Sequence, residues 1–259
     1  MTEIKSAFAK GKAFVAFVTA GDPDLETTEQ LILSLEQAGA DLIEIGIPFS
    51  DPVAEGPIIQ GADIRALASG TTTDQIFEMV ERIKDKVGVP LAFMTYINPV
   101  YTYGAARFLK RCKACSLAGL IVPDLPFEER NELLPLCREF NVTLISMIAP
   151  TSHERISQIA AQSEGFVYCV SSMGVTGVRS EITTDISQMV SLVKKATDTP
   201  CAIGFGISTP EQARAMAQSA DGVIVGSAIV KLVAQYGKDC IQPVSAYVKT
   251  MKQAIADLS

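Results

Sequence analysis

DLIEIGIPFSDPVAEGPIIQG, residues 41–61, opens on an apolar run from Leu42 to Ile47 that one carboxylate, Glu44, interrupts. A loop follows at once, broken by Pro48, Pro52, Gly56 and Pro57 and carrying Asp51 and Glu55. Apolar residues on both sides of a lone Glu read as a parallel strand buried on both faces. A carboxylate in that position either finds a partner or keeps its proton to higher pH. An acid at the C-terminal end of such a strand, beside a loop with two more, outlines a general acid–base arrangement. The competing reading is an ion pair between Glu44 and an arginine that only holds the fold together. Spacing alone leaves both open.

Working outward, the same strand–helix rhythm recurs. AFVAFVTA (13–20) is a short apolar strand, Gly21-Asp22-Pro23 turns the chain, and 24–39 reads as a helix with Asp24 as its cap and Gly39 as its stop. Downstream, helices are expected at 72–88, 103–119, 127–140 (interrupted by Pro135), from His153, at 183–197, 209–220 and about 240–257. Strands are expected between them at 90–96, 120–124, 142–150, 166–172, 201–206 and 222–227. About eight β/α units in this length imply a parallel sheet covered by helices, the size of a (β/α)₈ TIM barrel. Residues 1–259 are read as a single domain, with a doubly wound open sheet as the runner-up. Two connections are long: 49–71, with an extra short helix in GPIIQGADIRALASG, and 172–182, rich in Gly, Ser and Thr. Both follow C-terminal strand ends, where barrels place active sites, and loops of this kind close over substrates. A second extra helix, SAIVKLVAQYG, follows the eighth strand.

Composition narrows the function classes. The net charge is −7 and no Lys/Arg cluster stands out, which excludes nucleic acid as the partner. The N-terminal sequence lacks a signal-peptide layout, and no apolar stretch approaches the roughly 20 residues of a membrane span; the expectation is a soluble cytoplasmic protein. The six Cys are scattered, so free thiols are expected. Cys112 and Cys115 spell C-x-x-C, but within a helical pattern and with no second pair. His153 is the only histidine, which argues against a His-based triad or a zinc hydrolase.

Three groups of residues carry chemistry. Gly174–Gly177 after the sixth strand, Gly204–Ser208 at the end of the seventh and Gly226–Ala228 at the end of the eighth form a phosphate grip. Glycines let backbone N–H groups approach an anion, and a short helix after the eighth strand aims its N-terminus there. No Walker pattern, dinucleotide fingerprint or metal-ligand cluster is present, so the phosphate belongs to the substrate. The acid set is Glu44, Glu55 and Asp124, with hydroxyls from Tyr96 and Tyr168; Asp22 and Asp51 are assigned to loops or caps. Phe17, Ile59, Met94, Ile121 and Phe205 near strand ends supply an apolar lining. Together these suit a flat apolar substrate with a phosphate tail.

FVTAGDP (17–23), LIEIGIPFSDPVAEGPIIQ (42–60), MTYINPV (94–100), VPDLPFEE (122–129), SSMGVTGVR (171–179), GFGIS (204–208) and GSAIVK (226–231) together resemble the tryptophan synthase α subunit family from end to end. The resemblance implies a (β/α)₈ barrel that splits indole-3-glycerol phosphate into indole and glyceraldehyde 3-phosphate. It implies no cofactor in this chain, a pyridoxal-phosphate β subunit as partner in an α₂β₂ complex, and loops at 48–61 and 173–182 that close when the partner is bound. Glu44 matches the family's acid/base carboxylate. Glu55 stands where the family pattern has Asp, which keeps the charge and adds one methylene. Tyr168 and Thr176 match the site tyrosine and loop threonine, Gly177, Gly206, Gly226 and Ser227 the phosphate positions, and Phe205 a wall of the indole pocket. The alternatives are a stand-alone lyase releasing free indole, and a weakly catalytic activator of the β subunit.

Overall fold

The computed structural model describes residues 3–150, 153–170, 179–204 and 206–258. Its strands are β1 (Ala13–Thr19), β2 (Leu42–Gly46), β3 (Leu91–Met94), β4 (Gly119–Ile121), β5 (Thr143–Leu144), β6 (Ser146–Ile148), β7 (Val167–Val170), β8 (Cys201–Gly204) and β9 (Gly222–Val225). All are paired in parallel in one sheet of order β5-β4-β3-β2-β1-β9-β8-β7-β6. The two ends of that order, β5 and β6, are consecutive pieces of one chain run separated only by Ile145. The sheet therefore closes on itself as an eight-stranded barrel whose fifth strand is split, and the open-sheet alternative is set aside.

Strand residues alternate between two apolar compartments, as the period of two requires. Val15, Leu42, Ala92, Ile121, Ile145, Tyr168, Ala202 and Ile224 fill the barrel. Phe14, Ile43, Phe93, Leu120, Val167, Ile203 and Val223 pack outward against the helices. A 3₁₀ helix at Ile4–Phe8 closes the N-terminal end: Ile4 joins the interior cluster, and the Phe8 ring lies 5.6 Å from that of Phe166.

The outer layer comprises α1 (Leu25–Gln37), α3 (Thr73–Ile83), α4 (Ile97–Tyr103), α5 (Ala105–Ala114), α6 (Leu134–Glu139), α7 (His153–Ala161), α8 (Arg179–Ala196), α9 (Pro210–Ala217) and α11 (Ile241–Ala256). The two extra helices are α2 (Pro57–Ala68) after β2 and α10 (Ser227–Tyr236) after β9. Asp24 caps α1, accepting from the Thr27 N–H, and Thr72 and Thr209 open α3 and α9 with complete capping boxes.

Two helix expectations change. The helix expected at 103–119 narrows to α5, and α4, which was not expected, precedes it; Gly104, at φ 87°, separates the two in a conformation costly for other residues. The helix at 127–140 shortens to a 3₁₀ turn at Arg130–Glu132 followed by α6, with Pro135 in the first turn, where a missing N–H costs least.

Candidate active site

Glu44 projects into the barrel from the middle of β2, in register with Phe17 of β1 and Ala92 of β3. It is completely buried, and among the described residues neither carboxylate oxygen has a hydrogen-bond partner. Among the described residues no arginine reaches it, so the structural ion pair is ruled out there. Burial, followed by the charge of Glu55, raises its carboxyl to about 8. An isolated buried acid holds its proton because nothing replaces the lost hydration of the anion.

Glu55 lies half-buried on the loop between β2 and α2. Its N–H donates to the Pro52 carbonyl and its carbonyl accepts from Gln60 Nε2 at 2.8 Å. Burial raises its carboxyl to about 7, with the Tyr96 hydroxyl pulling the other way. Tyr96 anchors this loop: its hydroxyl accepts from the Ala54 N–H at 3.0 Å and its ring lies 5.4 Å from that of Phe49. Asp124 accepts from the Ile97 N–H at 2.9 Å, fixing the start of α4 directly after Tyr96.

Tyr168, on β7, faces the interior, its hydroxyl raised well above the ordinary range by burial and then by the charges of Glu44 and Glu55. It lies across β8 at Gly204, where a Cβ would stand 2.6 Å from the hydroxyl oxygen. Phe17 crosses β2 in the same way, and a Cβ on Gly46 would stand 2.6 Å from its ring. Glycine at these two strand ends lets aromatic rings occupy the barrel mouth.

A cavity of about 740 Å³ opens at the mouth. Phe17, Glu55, Ile59, Met94 and Tyr168 line it, and Gly206, Gly226 and Ser227 form part of its wall. Ser227 is the first residue of α10, and the first helical bond runs from the Val230 N–H to the Gly226 carbonyl. Free N–H groups of that first turn are the kind that hold an anion. Tyr96 and Asp124 stand behind the loop, and Ile121 packs within the barrel; none of the three lines the cavity. Thr176, Gly177 and Phe205 lie outside the described residues, as does most of the 172–182 connection.

Two features were not foreseen. The loop after β4 contributes Leu125, Phe127 and Arg130 to the outer wall. Asp63 of α2 is buried, and burial followed by the charge of Glu55 raises its carboxyl to about 7. Asp22 accepts Arg65 Nε and Nη2 at 2.8 Å each, tying the turn after β1 to α2. The six cysteines are free and buried, and among the described residues no group of three metal-ligating side chains forms. Among the described residues, no helix is long and apolar enough to cross a membrane.

A closed parallel barrel with a buried acid inside, a second acid in the wall of an apolar cavity and a helix N-terminus in the same wall defines a (β/α)₈ protein with the layout of a phosphate-substrate enzyme. The model of the family described as "Tryptophan synthase alpha chain" matches residues 4–256. The chain is 50% identical to the tryptophan synthase alpha chain of Lactiplantibacillus plantarum, covering 98% of this chain and 97% of that one. It is 47% identical to that of a Thermoanaerobacter species, with 94% of each covered. The solved tryptophan synthase subunit alpha from Campylobacter jejuni superposes with a TM-score of 0.87 at 33% identity, covering 97% of this chain and 99% of that one. A chain of the tryptophan synthase complex from Pyrococcus furiosus gives 0.85 at 32% identity, covering 94% and 99%. The chain belongs to the tryptophan synthase alpha chain family.

Proposed function

We infer that this chain is a carbon–carbon lyase that cleaves indole-3-glycerol phosphate to indole and glyceraldehyde 3-phosphate, as the α subunit of tryptophan synthase. The observation that carries the mechanism is Glu44: a fully buried carboxyl that keeps its proton at neutral pH and, though not itself on the cavity wall, is in register on β2 with the cavity-lining Phe17. The reaction is a retro-aldol cleavage. A proton is added to indole C3, the bond from C3 to the glycerol side chain breaks, and the adjacent side-chain hydroxyl loses its proton to become the aldehyde. Glu44 supplies the proton at C3 and takes up that of the hydroxyl. Glu55, at the cavity wall, takes the indole N–H proton as C3 is protonated and returns it to the nitrogen as the C3 bond breaks. A carboxyl poised near the working pH is suited to both directions of transfer.

Phe17, Ile59 and Tyr168 enclose the indole, and Phe205 and Thr176 are assigned to the same pocket from the sequence resemblance. The phosphate is held by Gly206, Gly226, Ser227 and Gly177, the first turn of α10 supplying backbone donors. Tyr96 and Asp124 support the Glu55 loop from behind. Proton transfer of this kind calls for no cofactor in this chain; pyridoxal phosphate belongs to the β subunit that receives the indole. All described strands share one sheet, which supports reading 1–259 as a single domain. We place the protein in the cytoplasm, in keeping with an N-terminal sequence that lacks a signal-peptide layout.

Steady-state cleavage of indole-3-glycerol phosphate, with and without the β subunit, tests this reading. Weak turnover alone and a large rise with the partner is the expected result. Full activity alone points to the stand-alone lyase. No activity in either condition reduces the chain to an activator of its partner.

A further inference from the structure

The strands of a parallel barrel are covered by side chains inside and by helices outside, so they are buried on both faces. β1, β2, β8 and β9 obey this at every residue. The split fifth strand does not. Thr143 and Leu144 of β5 are half-buried, and in β6 only Ile148 is buried. The reason lies in the helical layer. α6 is six residues long, and among the described residues it hardly touches α7, whereas α7 packs closely along α8. Packed helices lie about 8–10 Å apart with their side chains interlocked. Between α6 and α7 a gap remains instead, over the outer face of the fifth strand.

The cavity runs into that gap. Leu144 and Ile148 belong to the helix-side core, Ile145 and Met147 to the barrel interior, and all four line the same cavity. It therefore reaches both faces of one strand. Arg155, Ile159 and Gln162 also line it, at spacings of four and three residues that place them on one side of α7 and its end. Phe127, Arg130 and Leu134 close it from the segment after β4. The result is an outer lobe with an apolar floor and walls. Ser227 stands at the other end of the cavity, on the helix after β9, three strands from β6 in the sheet order.

Three charged residues line the lobe: Arg130, Arg155 and Glu164. Arg155 pairs with Glu128 at 2.5 Å, and Glu164 with Arg138 at 2.7 Å. Arg130 has only neutral partners among the described residues. Its guanidinium lies 4.3 Å from the centre of the Phe127 ring, and its Nη1 and Nη2 donate to the Gln162 carbonyl at 3.2 Å and to Gln162 Oε1 at 2.5 Å. The lobe thus carries one uncompensated positive charge beside an aromatic ring.

We propose that this outer lobe is a second binding site, for a flat aromatic carboxylate whose ring enters between Leu134, Leu144 and Ile159 and whose carboxylate replaces Gln162 on Arg130. A guanidinium takes a carboxylate through two parallel N–H bonds, and a charged acceptor holds it more strongly than a neutral amide does. The ligand occupies the gap that the short α6 leaves, so it does not compete for the mouth of the barrel.

Calorimetric titration of naphthalene-2-carboxylate into the full chain tests this, with Arg130→Gln, Leu144→Trp and Ser227→Trp as variants. The wild type binds the probe at a single site. Arg130→Gln weakens binding by roughly tenfold or more, as loss of a charge-assisted pair requires. Leu144→Trp fills the lobe and abolishes binding. Ser227→Trp crowds the opposite end of the cavity and leaves the affinity unchanged. No binding by the wild type, unaltered affinity in Arg130→Gln or in a folded Leu144→Trp, or loss of binding in Ser227→Trp overturns the proposal. If Leu144→Trp does not fold, Arg130→Gln, at a half-buried position that leaves the apolar walls in place, decides alone. Turnover is not measured, so failure of the lyase reading leaves this result standing.

Discussion

Glu44 combines a catalytic opportunity with a stability cost. Its carboxyl is raised from 4.5 to about 8, so between those values the folded chain holds a proton that the unfolded chain has released. Its contribution to stability is full below about pH 4.5 and is lost as pH rises through about 8. Glu55 and Asp63, each raised to about 7, act in the same direction. Glu44→Gln should therefore be more stable than wild type at pH 8, by on the order of 3 kcal/mol, and the gain should vanish near pH 4. Urea unfolding at the two pH values measures this, and equal stabilities at pH 8 contradict it. The same variant should lose turnover by roughly 10²–10⁴-fold while a phosphate-bearing substrate analogue still binds by calorimetry. At position 55, alanine should be nearly inactive and aspartate active. An active Glu55→Ala removes Glu55 from the mechanism. Both acids were legible because one interrupts an apolar strand and the other follows it in a turn-rich loop. Asp63 was not, because a lone aspartate in a helical pattern looks like a solvated one.

α2 and the turn after β1 are coupled through Arg65 and Asp22. Asp22 has 2% side-chain exposure and Arg65 has 41%, so the aspartate depends on its partner more than the arginine does. Arg65→Met leaves a buried carboxylate unpaired, a change that costs 3–5 kcal/mol when both partners are buried; with Arg65 half in water about 2 kcal/mol is expected. Denaturant midpoints measure the loss, and a change under about 0.5 kcal/mol, ordinary for surface positions, refutes the coupling. Sequence periodicity located α2 as a helix, yet its burial of Asp63 together with Ile59 emerged only from packing. β5 and β6 were one strand in the sequence reading because the split at Ile145 has no composition signal. α4 went unread because Asn98-Pro99 looks like a turn, so Gly104, which ends it, was placed inside the following helix.

The molecule as a unit makes a chemical prediction from its thiols. All six cysteines are buried and unpaired, including Cys112 and Cys115, and burial raises these two thiols. A thiol reagent should label none rapidly in the native protein and six after denaturation. Fast native labelling of the C-x-x-C pair would revive a redox role. Ile64 and Leu67 of α2 are exposed, and Val53 (83% exposed) and Ile58 border the cavity on the same connection, which leaves apolar surface around the catalytic loop. Such a surface suits a permanent partner, and co-elution with the β subunit on gel filtration is the expected outcome.

Alternating apolar strands and amphipathic helices specified the eight-unit barrel from sequence, because periods of two and 3.6 are written residue by residue. The order of glycine-rich strand ends and the position of Glu44 and Glu55 were legible for the same reason: each is a local departure from a local pattern. Barrel closure across the split strand, the absence of an arginine at Glu44 among the described residues, the withdrawal of Tyr96, Asp124 and Ile121 from the cavity wall, and the burial of Asp63 depended on segments distant in the chain. A carboxyl's protonation is set by the solvent and charge that remain around it after packing, and no linear spacing records that.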